Sequence, residues 1–545
     1  MNIQQSREVE EAIMAWTDVL EAERVVWDET SLFRYSRSTT PYTTRPCAVL
    51  RPESTSEVQT IVHIARKFKI SVYPVSQGKN WGYSDACAPV SDMALIDMSR
   101  MSRIHEINPE LGYVVIEPGV TQGQLVSAVQ EKAPGYQVDC TGAGPDASVL
   151  GNALDRGFGH TAYGDHVRST CGMEVVMADG ALLKTGFGHF GNARAECVYP
   201  YGIGPMLDGL FSQSNLGIVT SMSLWLMPVP EAFRFFFIRC PDDNKLEALV
   251  DALRPLRMNG ILNSAVHIGN DLRVISSTMQ YPWERCNHKT PMPEAVRREL
   301  RNAHALGAWN VSGSLTGTLP QVNAAGKHLQ HAVRGIGKVM FLNDRSLHWR
   351  KKAVHLINRF GIGMHWRRQL DVGVPNYELL KGIPTLMPLR GAFWRVRTPI
   401  PEIASGIPLP DPLDVGCGLI WLSPVLPIRG EDAGSILKLL TPILHGYGFD
   451  CLVTYTMLNE RSMVAIINLS FDKNVPGESD AARLCYEKAM QQLVAHGYYP
   501  YRVGLGGMKH LVKSNDTFWQ TAHRIKQALD PDNILMPGRY IPEDV

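Results

Sequence analysis

Apolar and polar positions along this chain of 545 residues follow two different periods. Apolar residues recurring every three or four positions predict helices over 8–24, 122–132, 432–446, 478–496 and 517–528. The sharpest helix start follows Pro52. There Ser54 and Glu57 form an S-x-x-E capping signal, and Val58, Ile61, Val62, Ala65 and Phe68 fall on one face. Short apolar runs bounded by turn residues predict strands at 70–73, 94–97, 112–117, 233–240, 450–457 and 463–469. Residues 173–185 predict a β-hairpin turning at Asp179-Gly180. ALVDALRPLR reads as a helix broken at Pro255, and WLSPVLPIRG (421–430) as a strand running into a Pro-rich bend. The stretch 281–410, rich in Pro, Arg and Gly, has no clear period. Mixed short elements of both kinds predict an α+β protein, and a change of texture near residue 230 divides it.

Two glycine-bearing stretches interrupt these periods. PVSQGKNWGYS (74–84) follows the strand predicted at 70–73 and carries Gly78, Gly82 and Lys79. Glycine lets a turn present successive backbone N–H groups to a diphosphate. This is neither a GxGxxG fingerprint nor a P-loop, and by itself a plain surface turn is the better reading. The second stretch, 140–166, holds six glycines, at 142, 144, 151, 157, 159 and 164. That density brings backbone close to something flat or charged, or marks unusual turns.

Composition narrows the function classes. The length calls for two or three domains. A formal net charge of +1 gives no reason to expect a nucleic-acid or membrane partner. The ten cysteines are scattered with no CxxC pair, which reads as reduced thiols in a cytoplasmic protein. No signal-peptide pattern and no apolar run of about 18 residues is present. No His/Cys spacing suggests a metal, and no GxSxG elbow suggests a serine hydrolase. His160 and His166 read as structural histidines hydrogen-bonded to backbone.

Several segments together resemble the vanillyl-alcohol oxidase / p-cresol methylhydroxylase flavoprotein family, with its PCMH-type FAD-binding domain. They are RPESTSEVQTIVHIARKFKISVYPVSQGKNWGYS, EPGVTQGQL, PDASVLGNALDRG, YGDH, SQSNLGIVT, LLKGIPT and DPDNILMPGR, in the family's order across nearly the whole chain. The resemblance implies an FAD-binding domain of two subdomains over 1–230, completed by 500–545. It encloses an α+β cap domain over 231–499 built on an antiparallel sheet. The cofactor-binding residues it implies are Pro74, Ser76, Gln77, Gly78, Lys79, Asn80 and Trp81 in the first loop. Ser148, Val149, Asn152, Gly157, Gly159, Gly164 and Asp165 follow, then Ile218, Val219 and Arg539. Where Lys79 stands the family more often has Arg, which can make a bidentate fork that Lys cannot.

The chemistry implied is FAD-dependent oxidation of a para-substituted phenol. Tyr83, Tyr501 and Arg502 match residues that meet at the phenol oxygen. Two hydroxyls and a guanidinium would favour the phenolate of a group whose ordinary pKa is near 10. Hydride then passes from the benzylic carbon to the flavin and leaves a quinone methide. Asp146 matches an acidic residue beside the flavin; as a sequence feature it is also good N-capping chemistry. Taken singly, the three aromatic and cationic residues read as ordinary packing and surface groups. Around VGCGLIWLSPV (415–425) the position of the family's covalent tether falls on Leu419 or Gly418, with Cys417 nearby, so the expected FAD is non-covalent. The segment 186–201 is short where a family member carries an assembly insertion, which favours a homodimer. The electron acceptor is O2 or a protein, the latter as in a flavocytochrome-type dehydrogenase. A tailoring enzyme acting on a non-phenolic substrate and a non-catalytic FAD-binding protein are the competing readings.

Overall fold

The computed structural model describes residues 3–358, 364–402 and 407–542. Residues 359–363 and 403–406, within the stretch without clear period, lie outside the described residues, as do the two chain ends.

The first sheet is organised by the helix at Thr55–Phe68. It joins strand Ala48–Leu50 to strand Val72–Val75, and both pair in parallel with Ala94–Asp97 between them. Parallel neighbours need such a crossover. Ser54 caps the helix by accepting from the Glu57 N–H. Glu57 does not complete a capping box; its carboxylate takes Arg24 and the Glu53 N–H instead. Val58, Ile61, Val62 and Ala65 are fully buried on the helix face turned to the sheet and to Trp16 of helix Ile3–Leu20. The strand expected at 70–73 is found two residues later. The Ile70 N–H closes the end of the helix onto the Ala65 carbonyl, after Lys69 turns into the left-handed region.

A second, antiparallel sheet has the order Ile104–Asn108, Tyr113–Ile116, Ile218–Trp225, Thr170–Val176, Leu182–Lys184. The last two strands are the hairpin expected at 173–185, with Gly180 at φ +82° in its turn. The C-terminal tail returns to this half. Val72 exchanges backbone hydrogen bonds with Ile534 and Met536, and Ile534, Leu535 and Met536 join the first sheet's core.

Residues 232–472 build an eight-stranded antiparallel sheet. Its path runs Lys338–Leu342, Ala232–Cys240, Trp309–Gly317, Val266–Asn270, Leu452–Met457, Ser462–Asp472, Cys417–Leu422, with Val425–Pro427 also on Ser462–Asp472. Helices Leu246–Met258, Leu319–Ala332, Gly430–Gly446 and Glu478–Ala495 bury its other face. Pro255 does not break its helix, which runs to Met258. Leu253 and Leu256 are buried on either side of it, and Arg257 ties the end down by donating to the Leu262 and Leu458 carbonyls. Among the described residues no helix is long and apolar enough to cross a membrane.

Candidate active site

Strand Val72–Val75 ends on the edge of a cavity of about 420 Å³ between the two smaller sheets and the large one. Its floor is the loop 76–80. None of the five N–H groups from Ser76 to Asn80 has a hydrogen-bond acceptor among the described residues, although Tyr83 and Asp85 just beyond both donate to the Asn80 carbonyl. Free amides lining a cavity carry a cost unless an anion or water receives them. Gly78 sits at φ +63°, which turns the chain so that they can converge. Lys79, expected to offer its charge to a diphosphate, is paired with Asp411 at 3.0 Å and lies over Trp81.

The loop then docks on two remote segments. The Trp421 indole N–H donates to the Trp81 carbonyl at 2.9 Å, and the Tyr501 N–H donates to the Ser423 carbonyl at 3.1 Å. The Leu505 N–H donates to Ser84 Oγ at 2.8 Å. Gly82 is obligatory in this packing, because a Cβ there would lie 2.5 Å from the Trp421 ring. Ser84 is held at φ +120° and Asp85 at φ +56°. Such backbone persists only when its surroundings fix it, and each position costs about 1–3 kcal/mol. Asp85 supplies part of that fixing, accepting from Ser38 Oγ and the Thr39 N–H, each at 2.7 Å.

This docking brings Tyr83, Tyr501 and Arg502 together. The two phenolic oxygens are 3.5 Å apart, and the Arg502 guanidinium carbon lies 4.0 Å from the centre of the Tyr83 ring. Burial, with Tyr501 beside it, pushes the Tyr83 hydroxyl well above its usual pKa, so it stays a hydrogen-bond donor. Arg502 donates to Asn80 Oδ1 and stands 3.9 Å from Asp155. Asp155 accepts from the Tyr540 hydroxyl and from Asn80, and it also faces Arg539 at 3.9 Å. Burial alone would raise the Asp155 pKa; Arg502 and Arg539 outweigh it and hold the carboxyl below its ordinary range.

Among the expected cofactor residues, Pro74, Ser76, Gln77, Gly78, Lys79, Asn80, Trp81, Ser148, Asn152, Gly157, Ile218, Val219 and Arg539 line the cavity. Val149, Gly159, Gly164 and Asp165 do not. Val149 is buried in the core of the second sheet. Gly159 and Gly164 bond to each other, and Asp165 bridges Phe158. Gly159 serves a buried carboxylate instead, since a Cβ there would fall 1.7 Å from Asp139 Oδ2. Asp139 is bonded to His166 Nε2 at 2.6 Å, and His166 Nδ1 lies 2.7 Å from Asn152 Oδ1. His166 is therefore held by side chains rather than by backbone.

Asp146 also stands apart from the cavity. It is exposed and outside the cavity lining, and Ser148 takes the N-cap of helix Val149–Leu154 by accepting from the Gly151 N–H. The carboxylate that reaches the cavity beside Tyr501 and Arg502 is Asp155, which turn chemistry did not distinguish. Cys417 is buried outside the cavity lining and donates to the Ala392 carbonyl, whereas Leu419 lines the cavity.

The large sheet supplies a wall that no motif announced, His267, Thr454, Thr456 and Ile466, with Arg273 of helix Asp271–Ser276 beside it and His160 facing them. The His160 and His267 rings are 4.5 Å apart, and His267 Nδ1 is 3.0 Å from Thr456 Oγ1. Burial lowers both pKa values, that of His160 to about 4, so both rings are neutral at pH 7.

Comparison with known proteins decides the family. Residues 46–186 match the model of an FAD binding domain, and residues 432–540 match the C-terminal domain of FAD linked oxidases. The chain is 36% identical to 1'-carboxy-chondrochloren decarboxylase from Chondromyces crocatus, over 98% of this chain and 97% of that one. The chain belongs to the vanillyl-alcohol oxidase / p-cresol methylhydroxylase flavoprotein family. Two solved structures share its whole fold. Substrate-bound p-cresol methylhydroxylase superposes with a TM-score of 0.86 at 28% identity, covering 98% of this chain and 97% of that one. The 4-ethylphenol oxidase from Gulosibacter chungangensis, in complex with isoeugenol, gives 0.88 at 27% identity, covering 99% and 98%. The protein is thus an FAD-dependent oxidoreductase. The five free N–H groups of 76–80 fit the cofactor's diphosphate.

Proposed function

We propose that this protein is an FAD-dependent oxidase of para-substituted phenols, with residues 1–230 and 500–545 as its FAD-binding domain and 231–499 as its cap. The observation that carries the reading is the buried convergence of Tyr83, Tyr501 and Arg502 on one wall of the cavity. A phenol oxygen placed there meets two hydroxyl donors and one fixed positive charge. All three favour the phenolate, and they gain strength in a water-poor cavity. The phenolate releases electron density toward the para position and so weakens the benzylic C–H bond. Bound FAD supplies the hydride acceptor. Asp155 positions Arg502 and Arg539 and balances their charge. The resulting quinone methide takes up water to give an alcohol or loses a proton to give an alkene; an alcohol substrate yields the aldehyde.

The names of the similar proteins support this reading, since one acts on p-cresol and another on 4-ethylphenol. A second reading rests on the decarboxylase. A quinone methide carrying a carboxylate on the next carbon accepts that C–C bonding pair into its ring, releasing CO2 and leaving a vinyl phenolate. Non-covalent FAD, a cytoplasmic homodimer and O2 as electron acceptor complete the proposal. The absence of a nucleophile at Leu419 supports the first of these, and yellow colour in the supernatant after acid precipitation tests it. Anaerobic addition of 4-ethylphenol should bleach the flavin, and air should restore it with formation of H2O2. A flavin that stays oxidised rejects phenol oxidation; bleaching without reoxidation by air points to a protein acceptor.

A further inference from the structure

Four cations line the cavity, and three are answered within the protein. Lys79 has Asp411, while Arg502 and Arg539 share Asp155. Arg273 has no carboxylate and no side-chain hydrogen bond among the described residues, and its Nε is enclosed. Burial lowers its pKa only to about 10, so it is charged at pH 7. An enclosed unpaired charge is costly and persists where a bound anion offsets it.

The side chain is held in place by its surroundings. Asn270 caps helix Asp271–Ser276 by accepting from the Arg273 N–H at 2.9 Å, and Asp271 ties the helix start to Arg297 and Arg301. Gly391 makes room for the guanidinium, since a Cβ there would lie 2.7 Å from Nη1. The acids of the lining, Asp85 and Asp155, are both engaged elsewhere. Arg273, on that helix, lines the same cavity as His267, Thr454 and Thr456 of the large sheet, whereas the free N–H groups that suit a diphosphate belong to loop 76–80. The His267 Nε2 on the same wall is also without a partner.

We propose that Arg273 is the anchor for a carboxylate of the substrate, so that the preferred substrates are phenols whose para side chain ends in a carboxylate. This rests on the phenol reading above and adds a second polar anchor to the same cavity. The guanidinium fork receives both carboxylate oxygens, and the unpaired His267 ring offers a neutral hydrogen bond beside it.

The test uses the FAD-loaded enzyme and the series 3-(4-hydroxyphenyl)propanoate, 4-(4-hydroxyphenyl)butanoate and 5-(4-hydroxyphenyl)pentanoate, each beside its carboxamide. Affinity is read from perturbation of the flavin spectrum. At least one acid should bind about ten- to a hundredfold more tightly than its amide. Arg273→Gln should bring that ratio near one with FAD content and resting spectrum unchanged, and Arg273→Lys should keep part of it. Gly391→Ala, which leaves the charge and crowds the guanidinium, should reduce the ratio too. Equal binding of every acid and amide, or a ratio that survives Arg273→Gln, overturns the proposal. Loss of FAD from Arg273→Gln also overturns it, since Arg273 would then serve the cofactor. Failure of the phenol reading is seen separately, as amides that bind but never reduce the flavin.

Discussion

The two walls of the cavity treat charge in opposite ways. On the wall built by loop 76–85 and the tail, each cation has a carboxylate facing it: Arg502 and Arg539 share Asp155, and Lys79 has Asp411. What is left without an acceptor there is mostly backbone, the N–H groups of 76–80, together with Arg502 Nε. On the opposite wall the sheet's backbone is consumed by antiparallel pairing, and what is left without a partner is side chain: His267 Nε2 on the sheet and Arg273 on the helix that follows its strand. A ligand's diphosphate suits the first kind of surface, which needs shape and many weak donors. A variable substrate suits the second, where one residue changes specificity without disturbing the fold.

Breaking the charge pairs of the first wall should produce the largest effects. Asp155→Asn leaves Arg502 and Arg539 buried without their counter-charge and should cost about 3–5 kcal/mol of stability, read by denaturant unfolding. A change under 1 kcal/mol would mean that the cluster is not a unit. Arg502→Gln should keep FAD and slow anaerobic flavin reduction by about 10²–10³-fold. A loss of FAD without that slowing would move Arg502 from the substrate to the cofactor. Gly78→Val forces a β-branched residue to φ +63° and should weaken FAD binding more than tenfold on the order-of-magnitude cost of such strain, measured by reconstitution of the apoprotein.

The opposite wall is sharpened by pH. The His160 pKa, about 4 against an ordinary value of 6.5, is depressed. The unfolded chain therefore binds its proton first, and the stability contributed by the neutral ring is complete above pH 6.5 and is lost as pH falls toward 4. The fall in Tm between pH 7 and pH 5 should be smaller in His160→Gln than in the unaltered protein. An equal fall would show that His160 is not held neutral. The smallest effect belongs to Asp146→Asn, an exposed position outside the cavity. It should change stability by no more than about 0.5 kcal/mol and leave flavin reduction unchanged.

The same contrast explains what the chain revealed before folding. The glycines after the strand expected at 70–73 marked loop 74–84 as a turn, but only the family pattern pointed it at a diphosphate. Tyr83 is 418 positions from Tyr501, which Arg502 follows directly, and only the family pattern connected them. Asp146 and Asp155 are nine positions apart in one glycine-rich stretch; the family match pointed to Asp146, whereas Asp155 is the one packed against Arg502, a long-range contact. Arg273 and His267 are single polar residues in ordinary-looking apolar segments. They became a wall when Val266–Asn270 paired with Leu452–Met457, almost two hundred residues away. The stretch 281–410 resisted reading because its strands Trp309–Gly317 and Lys338–Leu342 are specified by Ala232–Cys240 rather than by their own neighbours. Pro255 misled because packing on both sides of it outweighed one lost hydrogen bond.

The central claim is that Tyr83, Tyr501 and Arg502 hold a phenol as its phenolate. It is met most directly by the ultraviolet difference spectrum of a para-halophenol, which has no benzylic hydrogen to lose, bound to the FAD-loaded enzyme at pH 7. The account predicts a phenolate spectrum in the unaltered protein and a neutral-phenol spectrum in Arg502→Gln. A neutral phenol bound to the unaltered protein would contradict it.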